Sequence, residues 1–301
     1  MTAARSWLFI PGDSEKKLGK ADATGADALI VDLEDSVAPA HKAEARIMVL
    51  AFLKAHTPGQ RSAQLYVRIN PLDEGALEDL AAVMPGMPDG IMLPKIFGAG
   101  CVERLSHYLD AFEAAGGIAR GATRIIPVAT ETPRAALTLA GFSERRLPRL
   151  SAMTWGAEDL STALGATTNL GSDGQWSLVY QITRASVLLA AKAAGVAAID
   201  TLYADFRDDA GLRASCRVGA AEGFDGRIAI HPAQVSAINA CFTPSDDDIA
   251  HAMRVIAAFD ATPDAGTVGL DGIMLDIPHL KQAQAVIAKH ATFVRRSSGS
   301  G

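Results

Sequence analysis

The chain has 301 residues, 49% hydrophobic and 21% charged, a composition that builds a large folded core and excludes a disordered polymer. Its formal net charge of -6 supplies no basic stripe, so no nucleic-acid partner is expected. Cys101, Cys216 and Cys241 are too few and too scattered for a disulfide framework or a CxxC zinc site, which points to a reducing, cytoplasmic setting.

From the N-terminus onward, short apolar runs alternate with longer Ala-rich segments. The first run is cut off by "PGDSEKK", too early for a signal h-region or a membrane span, so no membrane partner is expected. In chain order the runs are "WLFIP", "ALIVDLED", "QLYVRIN", "GIMLPK", "RIIPVATE", "AMTWGAED", "AAIDTLYAD" and "RIAIHP". Segments such as "SEKKLGKADATG", "AHKAEARIMVLAFLKAH" and "ITRASVLLAAKAAG" lie between them and read as crossover helices. Eight such repeats predict parallel strands closed into a (β/α)8 TIM barrel, expected over residues 1–260. That span ends in the helix "SDDDIAHAMRVIAAFD", N-capped by Ser245. The Gly-rich "ATPDAGTVGLDG" then breaks the pattern. "IMLDIPHLKQAQAVIAKHA" predicts a short turn and an amphipathic helix, which makes 261–296 a C-terminal helical lid segment. Residues 297–301, "SSGSG", are expected to be a flexible tail.

Each predicted strand begins apolar and ends polar, and barrel enzymes build their sites from the C-terminal strand ends. Glu131 ends the fifth strand and Asp159 follows the sixth, so two carboxylates meet on one rim. Each alone reads as a helix cap or a surface ion pair. Together they suit magnesium, which takes one or two protein carboxylates and fills its shell with water or substrate oxygens. No HExxH, Cys/His cluster or DxDxDG loop competes for that reading.

Arg68, ending the third strand, is placed to hold a carboxylate or an oxyanion, or to pair with the acids of "DLED". Those acids are Asp32, Glu34 and Asp35, and crowded like charges require a nearby cation. Glu34 and Asp35 either position Arg68 or Lys95 or bind metal waters; Asp32 has the alternative role of a buried structural acceptor. After the first strand, Pro-Gly-Asp opens a helix without dinucleotide or P-loop spacing. Its N–H groups, with Arg5, Lys16, Lys17 and Lys20, are candidates for phosphates, against the plainer reading of a solvated face. His231 and the three cysteines read as structural.

In order, "RSWLFIPG", "DALIVDLEDSVAPAHKAEAR", "YVRINP", "GIMLPK", "ATETP", "WGAEDLSTALG", "GFDGRIAIHPAQ" and "LDGIMLDIPH" resemble the HpcH/HpaI aldolase/citrate lyase family, the citrate lyase β-subunit-like proteins, from about Arg5 to about Ala291. The resemblance implies a (β/α)8 barrel with Mg2+ as cofactor. It also implies cleavage or formation of a C–C bond beside a thioester, as in malyl-CoA and citramalyl-CoA lyases. Glu131 and Asp159 match the metal ligands, and Arg68 the arginine facing the reacting oxygens. Asp276 of "MLDIP" matches an acid that reaches a neighbouring subunit's site, which implies a homo-oligomer, trimer or hexamer; without the resemblance it reads as a cap of the last helix.

The catalytic set expected on this basis is Arg68, Asp276, Asp35 and Glu34, with Arg68, Lys95, Arg5 and Lys16 binding a CoA-ester or 2-oxoacid substrate. Two departures from the family pattern, Trp155 in "WGAED" and the stretch "ITRAS", bear on the acyl pocket. Rival readings are a malyl-CoA-type thioesterase, a citrate lyase β subunit acting on an acyl-carrier thioester, a CoA-free 2-oxoacid aldolase and a non-catalytic partner subunit. Intact Arg68, Glu131, Asp159 and Asp276 argue against the last.

Overall fold

The computed structural model describes residues 4–263 and 265–298. All eight predicted strands are present: β1 (Ser6–Pro11), β2 (Ala28–Asp32), β3 (Gln64–Arg68), β4 (Gly90–Leu93), β5 (Arg124–Pro127), β6 (Ala152–Met153), β7 (Ala197–Asp200) and β8 (Gly226–Ala229). They form one parallel sheet in the order β5-β4-β3-β2-β1-β8-β7-β6. Parallel bridges Ile125↔Leu150 and Val128↔Thr154 join β5 to the β6 segment and close the ring. The fold is the expected (β/α)8 barrel.

Parallel strands under a coat of helices lose both faces to the core, so they read as continuous apolar runs. β2 is buried at all five positions. Alternation along the strands sends Trp7, Ala28, Ile30, Tyr66, Met92, Ile126 and Ile199 into one interior cluster. There Trp7 and Tyr66 meet edge to face at 5.0 Å. Tyr66 also dictates the residue beside it, because a Cβ on Gly90 would stand 2.1 Å from its ring. Two residues beyond Ile30 and Tyr66 on the same faces come Asp32 and Arg68, where the apolar layers give way to a charged rim.

Most expected crossover helices form, among them Lys42–Ala55, Ala99–Gly116, Leu178–Ala193 and Asp209–Glu222. The segment "SEKKLGKADATG" does not make a full one. It shrinks to the helix Glu15–Leu18 and a 3-10 turn, Asp22–Thr24. Leu18 is the only buried residue of that helix, and without an apolar stripe to dock, a longer helix has little to hold it.

The chain divides into two compact units, residues 4–239 and the residues from Ala240 onward. In the second, Ser245 and Asp248 form a reciprocal capping box on the helix Asp246–Asp260. The expected turn is in fact a hairpin of β9 (Thr267–Leu270) and β10 (Ile273–Asp276), followed by the helix Ile277–Ser298. Val255, Phe259, Val268, Leu275 and Ala283 make this unit's own core. The last helix reaches Ser298, and the rest of the expected tail, 299–301, lies outside the described residues. No helix among the described residues is long and apolar enough to cross a membrane.

Candidate active site

The site starts from strand register. β2 and β3 pair with Asp32 opposite Arg68, so two strand-end side chains stand together. Arg68 donates through Nε and Nη2 to the two Asp32 oxygens, at 2.6 and 2.7 Å. The N–H groups of Glu34 and Ser36 donate to the same carboxylate at 2.9 and 3.0 Å. Both readings of Asp32 are therefore true: it shapes the "LEDS" turn and anchors the arginine. Burial works to raise its pKa, but the hydrogen bonds and charge of Arg68 override this and hold it below the ordinary carboxylate range. Phe9 backs the guanidinium, its ring centre 4.7 Å from Cζ.

Glu34 is buried between the two cations, with Oε2 2.9 Å from Arg68 Nη1 and Oε1 3.2 Å from Lys95 Nζ. The Arg68 contact is an ion pair without hydrogen-bond alignment, since Oε2 has no hydrogen-bond partner. Burial raises the Glu34 pKa, and its two cations only partly offset this. Asp35 stands on the exposed rim, 3.0 Å from Lys95 Nζ. Behind the turn, Lys42 Nζ reaches the carbonyls of Leu33 and Glu34 at 3.2 and 3.3 Å and bonds Asn70 Oδ1. Asn70 is held in turn by Asp79. Both supporting residues lie inside quoted motifs, "APAHK" and "VRIN", but reading only charged strand tips passed them by.

Lys95 is the junction of the rim. It has a left-handed backbone, φ 50, which costs a side-chain-bearing residue about 1–2 kcal/mol. That turn directs its N–H to Glu131 Oε2 and its ammonium to Glu131 Oε1 at 3.5 Å and Asp159 Oδ1 at 2.6 Å. Glu131, just past β5, is buried, and burial pushes its pKa up to about 8 even though Lys95 opposes the shift. The glycine of "WGAED" makes room for it: a Cβ on Gly156 would lie 2.9 Å from Glu131 Cγ. Asp159 sits in the first turn of the helix Ala157–Leu164, where the helix dipole favours its charge.

Five carboxylates, Asp32, Glu34, Asp35, Glu131 and Asp159, thus contact only two cations, Arg68 and Lys95. The acids outnumber the cations, and Glu131, raised chiefly by burial, is raised further by the like charges of Asp159 and Glu34. A divalent cation fits this deficit. Among the described residues no group of three or more His, Cys, Asp or Glu side chains is arranged to hold a metal. Glu131 and Asp159 would therefore supply two ligands and leave the rest to water and substrate, as magnesium prefers. They border a cavity of about 70 Å³ together with Arg68, Met92, Trp155 and Thr201.

A larger cavity, about 590 Å³, lies at the opposite end, between the helix Ala99–Gly116 and the segments leading into β5 and β6. Its acids Glu103 and Asp110 are already paired with arginines, and it is remote from the C-terminal strand ends, so size does not make it the reaction site. Arg5 must likewise be removed from the candidate site. It precedes β1, at the same far end, and its guanidinium is bound to Asp27 at 2.7 and 3.0 Å. Lys16 lies on the site's side, exposed on the short helix after β1. Trp155 borders the cavity but is buried, its Nε1 donating to Asp200 at 2.9 Å. Arg184 of "ITRAS" also binds Asp200. In the second unit, Asp276 ends β10 with Oδ1 2.5 Å from His279 Nδ1, both half exposed.

A closed parallel barrel whose C-terminal strand ends gather charged side chains has the architecture on which barrel enzymes build their sites. The chain belongs to the HpcH/HpaI aldolase/citrate lyase family, whose sequence profile matches residues 5–232. It is 35% identical over 288 residues to a (3S)-malyl-CoA thioesterase of Cereibacter sphaeroides, covering 95% of this chain and 94% of that one. It is 34% identical over 297 residues to the mitochondrial citramalyl-CoA lyase of Rattus norvegicus, covering 94% and 85%. Among solved structures it is similar to CitE of Mycobacterium tuberculosis in complex with magnesium, acetoacetate and coenzyme A, with a TM-score of 0.78, 32% identity, and 96% and 98% of the two chains covered.

Proposed function

We propose that the chain is a magnesium-dependent lyase that cleaves, or forms, a 3-hydroxyacyl-CoA such as malyl-CoA or citramalyl-CoA, giving a shorter acyl-CoA and a 2-oxoacid. The observation that carries this reading is the meeting of Glu131 and Asp159 with Arg68 at one undercompensated acidic rim. Magnesium, held by Glu131 and Asp159, would supply Lewis-acid polarisation of the oxygens of the 2-oxoacid portion. Asp276 of a second copy, or a water it orients, takes the hydroxyl proton. The C–O bond then becomes a carbonyl as the C–C bond breaks, its electron pair passing to the thioester as an enolate that is afterwards protonated on carbon. Arg68, clamped on Asp32 through two nitrogens, keeps its plane fixed while stabilising developing oxyanion charge. Glu34 and Asp35 hold Lys95, and Lys95 and Lys16 are the cations on the site's side for anionic parts of the substrate.

A thioesterase using the same site is the second reading, favoured by the similarity to the (3S)-malyl-CoA thioesterase. An assay on malyl-CoA, citramalyl-CoA and related esters, with magnesium and with a chelator, separates the two. Magnesium-dependent release of a shorter acyl-CoA plus a 2-oxoacid is expected. Free CoA with the intact hydroxyacid would instead establish hydrolysis, and silence across the panel would point to a carrier-protein or CoA-free substrate.

The reading includes a homo-oligomer, supported by Leu178, Ile182 and Leu189, which stand exposed on the helix Leu178–Ala193. It also includes a cytoplasmic setting, supported by the small number and wide spacing of the cysteines, Cys101, Cys216 and Cys241. Asp276→Ala is expected to leave CoA-ester binding intact and to lower kcat by roughly 10²–10⁴-fold, the range of a lost proton-transfer group. Unchanged turnover would reduce Asp276 to a helix cap, and a monomer by light scattering would overturn its role in a second subunit.

A further inference from the structure

We propose that Lys95 is a built-in competitor of the metal: its ammonium and a divalent cation claim the same oxygens of Glu131 and Asp159, and on metal binding it retreats onto Glu34 and Asp35. The proposal rests on the metal reading of this site and adds what sets its affinity. Lys95 Nζ lies 2.6 Å from Asp159 Oδ1 and 3.5 Å from Glu131 Oε1. Magnesium binds carboxylate oxygens at about 2.0–2.1 Å, so on these atoms it would stand within a few ångströms of the ammonium. At that separation, in a partly buried setting, like charges repel strongly. One of them must move.

The geometry favours movement of the lysine. Its ammonium already touches Glu34 Oε1 at 3.2 Å and Asp35 Oδ2 at 3.0 Å, so a short swing about a flexible four-carbon stem keeps two counter-ions. The main chain can stay where it is, because the left-handed turn and the N–H bond to Glu131 hold the backbone. Lysine thereby offsets part of the charge on Glu131 and Asp159 without metal and weakens metal binding until substrate oxygens add ligands. The coupling gives this residue a positioning role, separate from any contact with substrate.

The test is Mn2+ binding to the full chain without substrate, followed by electron paramagnetic resonance and calorimetry. Lys95→Met is expected to bind Mn2+ about tenfold or more tightly than wild type, since one repelling charge is removed at short range. Lys95→Arg, which keeps the charge, is expected to gain nothing. Asp159→Asn should lose binding in either background. Unchanged or weaker binding in Lys95→Met, with Asp159 still required, would overturn the competition and leave the metal site standing. Absence of Asp159-dependent binding in both wild type and Lys95→Met would overturn the metal reading and this proposal together.

Should Lys95→Met fail to fold, wild-type protein gives the answer by reductive methylation and peptide mass mapping. Magnesium is expected to raise the Lys95 labelling rate several-fold as its contact with Asp159 is released, relative to exposed Lys16 and Lys17. An unchanged rate at saturating magnesium would overturn the proposal.

Discussion

Glu131→Ala and Asp159→Ala, made separately, are expected to lower kcat by roughly a thousandfold or more while the barrel stays folded. The size follows from withdrawing about 4 kcal/mol of transition-state stabilisation when the Lewis acid loses a ligand. The two variants differ in stability. Glu131 is buried, and burial is the chief cause of its raised pKa, so its charge works against the fold. Glu131→Gln keeps an oxygen to accept the Lys95 N–H and is expected to melt higher than metal-free wild type. Added magnesium should raise the melting temperature of wild type and not of the variant. Thermal scans with and without the cation, run beside the turnover assay, check both halves. Undiminished turnover in both alanine variants would sink the metal assignment.

That contrast belongs to a general trade: a site that crowds acids for function gives up stability that the rest of the fold supplies. Here the rim was legible in the sequence because each strand is an apolar run with a polar end, and chain order places the fifth and sixth ends side by side. The double role of Asp32 was not legible. It depends on the register Asp32↔Arg68, which is a property of paired strands and not of either strand alone. Nor could spacing show that Lys95 adopts φ 50 and reaches four carboxylates at once.

Two misreadings had signals available. Arg5 precedes its strand and so belongs to the end of the barrel opposite the site; polarity along the chain carried that information, and clustering it with Lys16 discarded it. The hairpin before the last helix is announced by Asp271–Gly272, which adopt φ 52 and 80, between runs containing Val268 and Leu275. Glycine content suggested a loop there, where the Asp-Gly pair specifies a tight turn between strands. The short helix after β1 failed for a different reason, since its residues can be helical but have almost nothing to bury.

Arg149→Met is expected to destabilise the barrel by about 3–5 kcal/mol, the cost of leaving a buried charge without its partner. Arg149 is buried at the end of the barrel away from the site, where Nη1 donates to Glu113 Oε1 at 2.8 Å and to the Thr123 carbonyl at 3.0 Å. Its Nη2 serves Glu113 Oε2 and Asp110 Oδ1, both at 2.5 Å. Glu113 also accepts the N–H groups of Gly121 and Thr123, so one buried carboxylate ties the helix Ala99–Gly116 to the start of β5. Burial alone would raise its pKa, but Arg149 and these N–H bonds hold it below the ordinary range. The sign follows: this contribution is present in full above the unfolded-state value of Glu113 and is lost as the pH falls through the lower folded-state value. The gap between wild type and Arg149→Met should therefore be wide at neutral pH and close in acid. Denaturant melts across that range check it, and kcat per folded molecule should not change, because nothing in this cluster touches the rim. An equal loss of stability at every pH would mean that the guanidinium acts there by packing and not by charge.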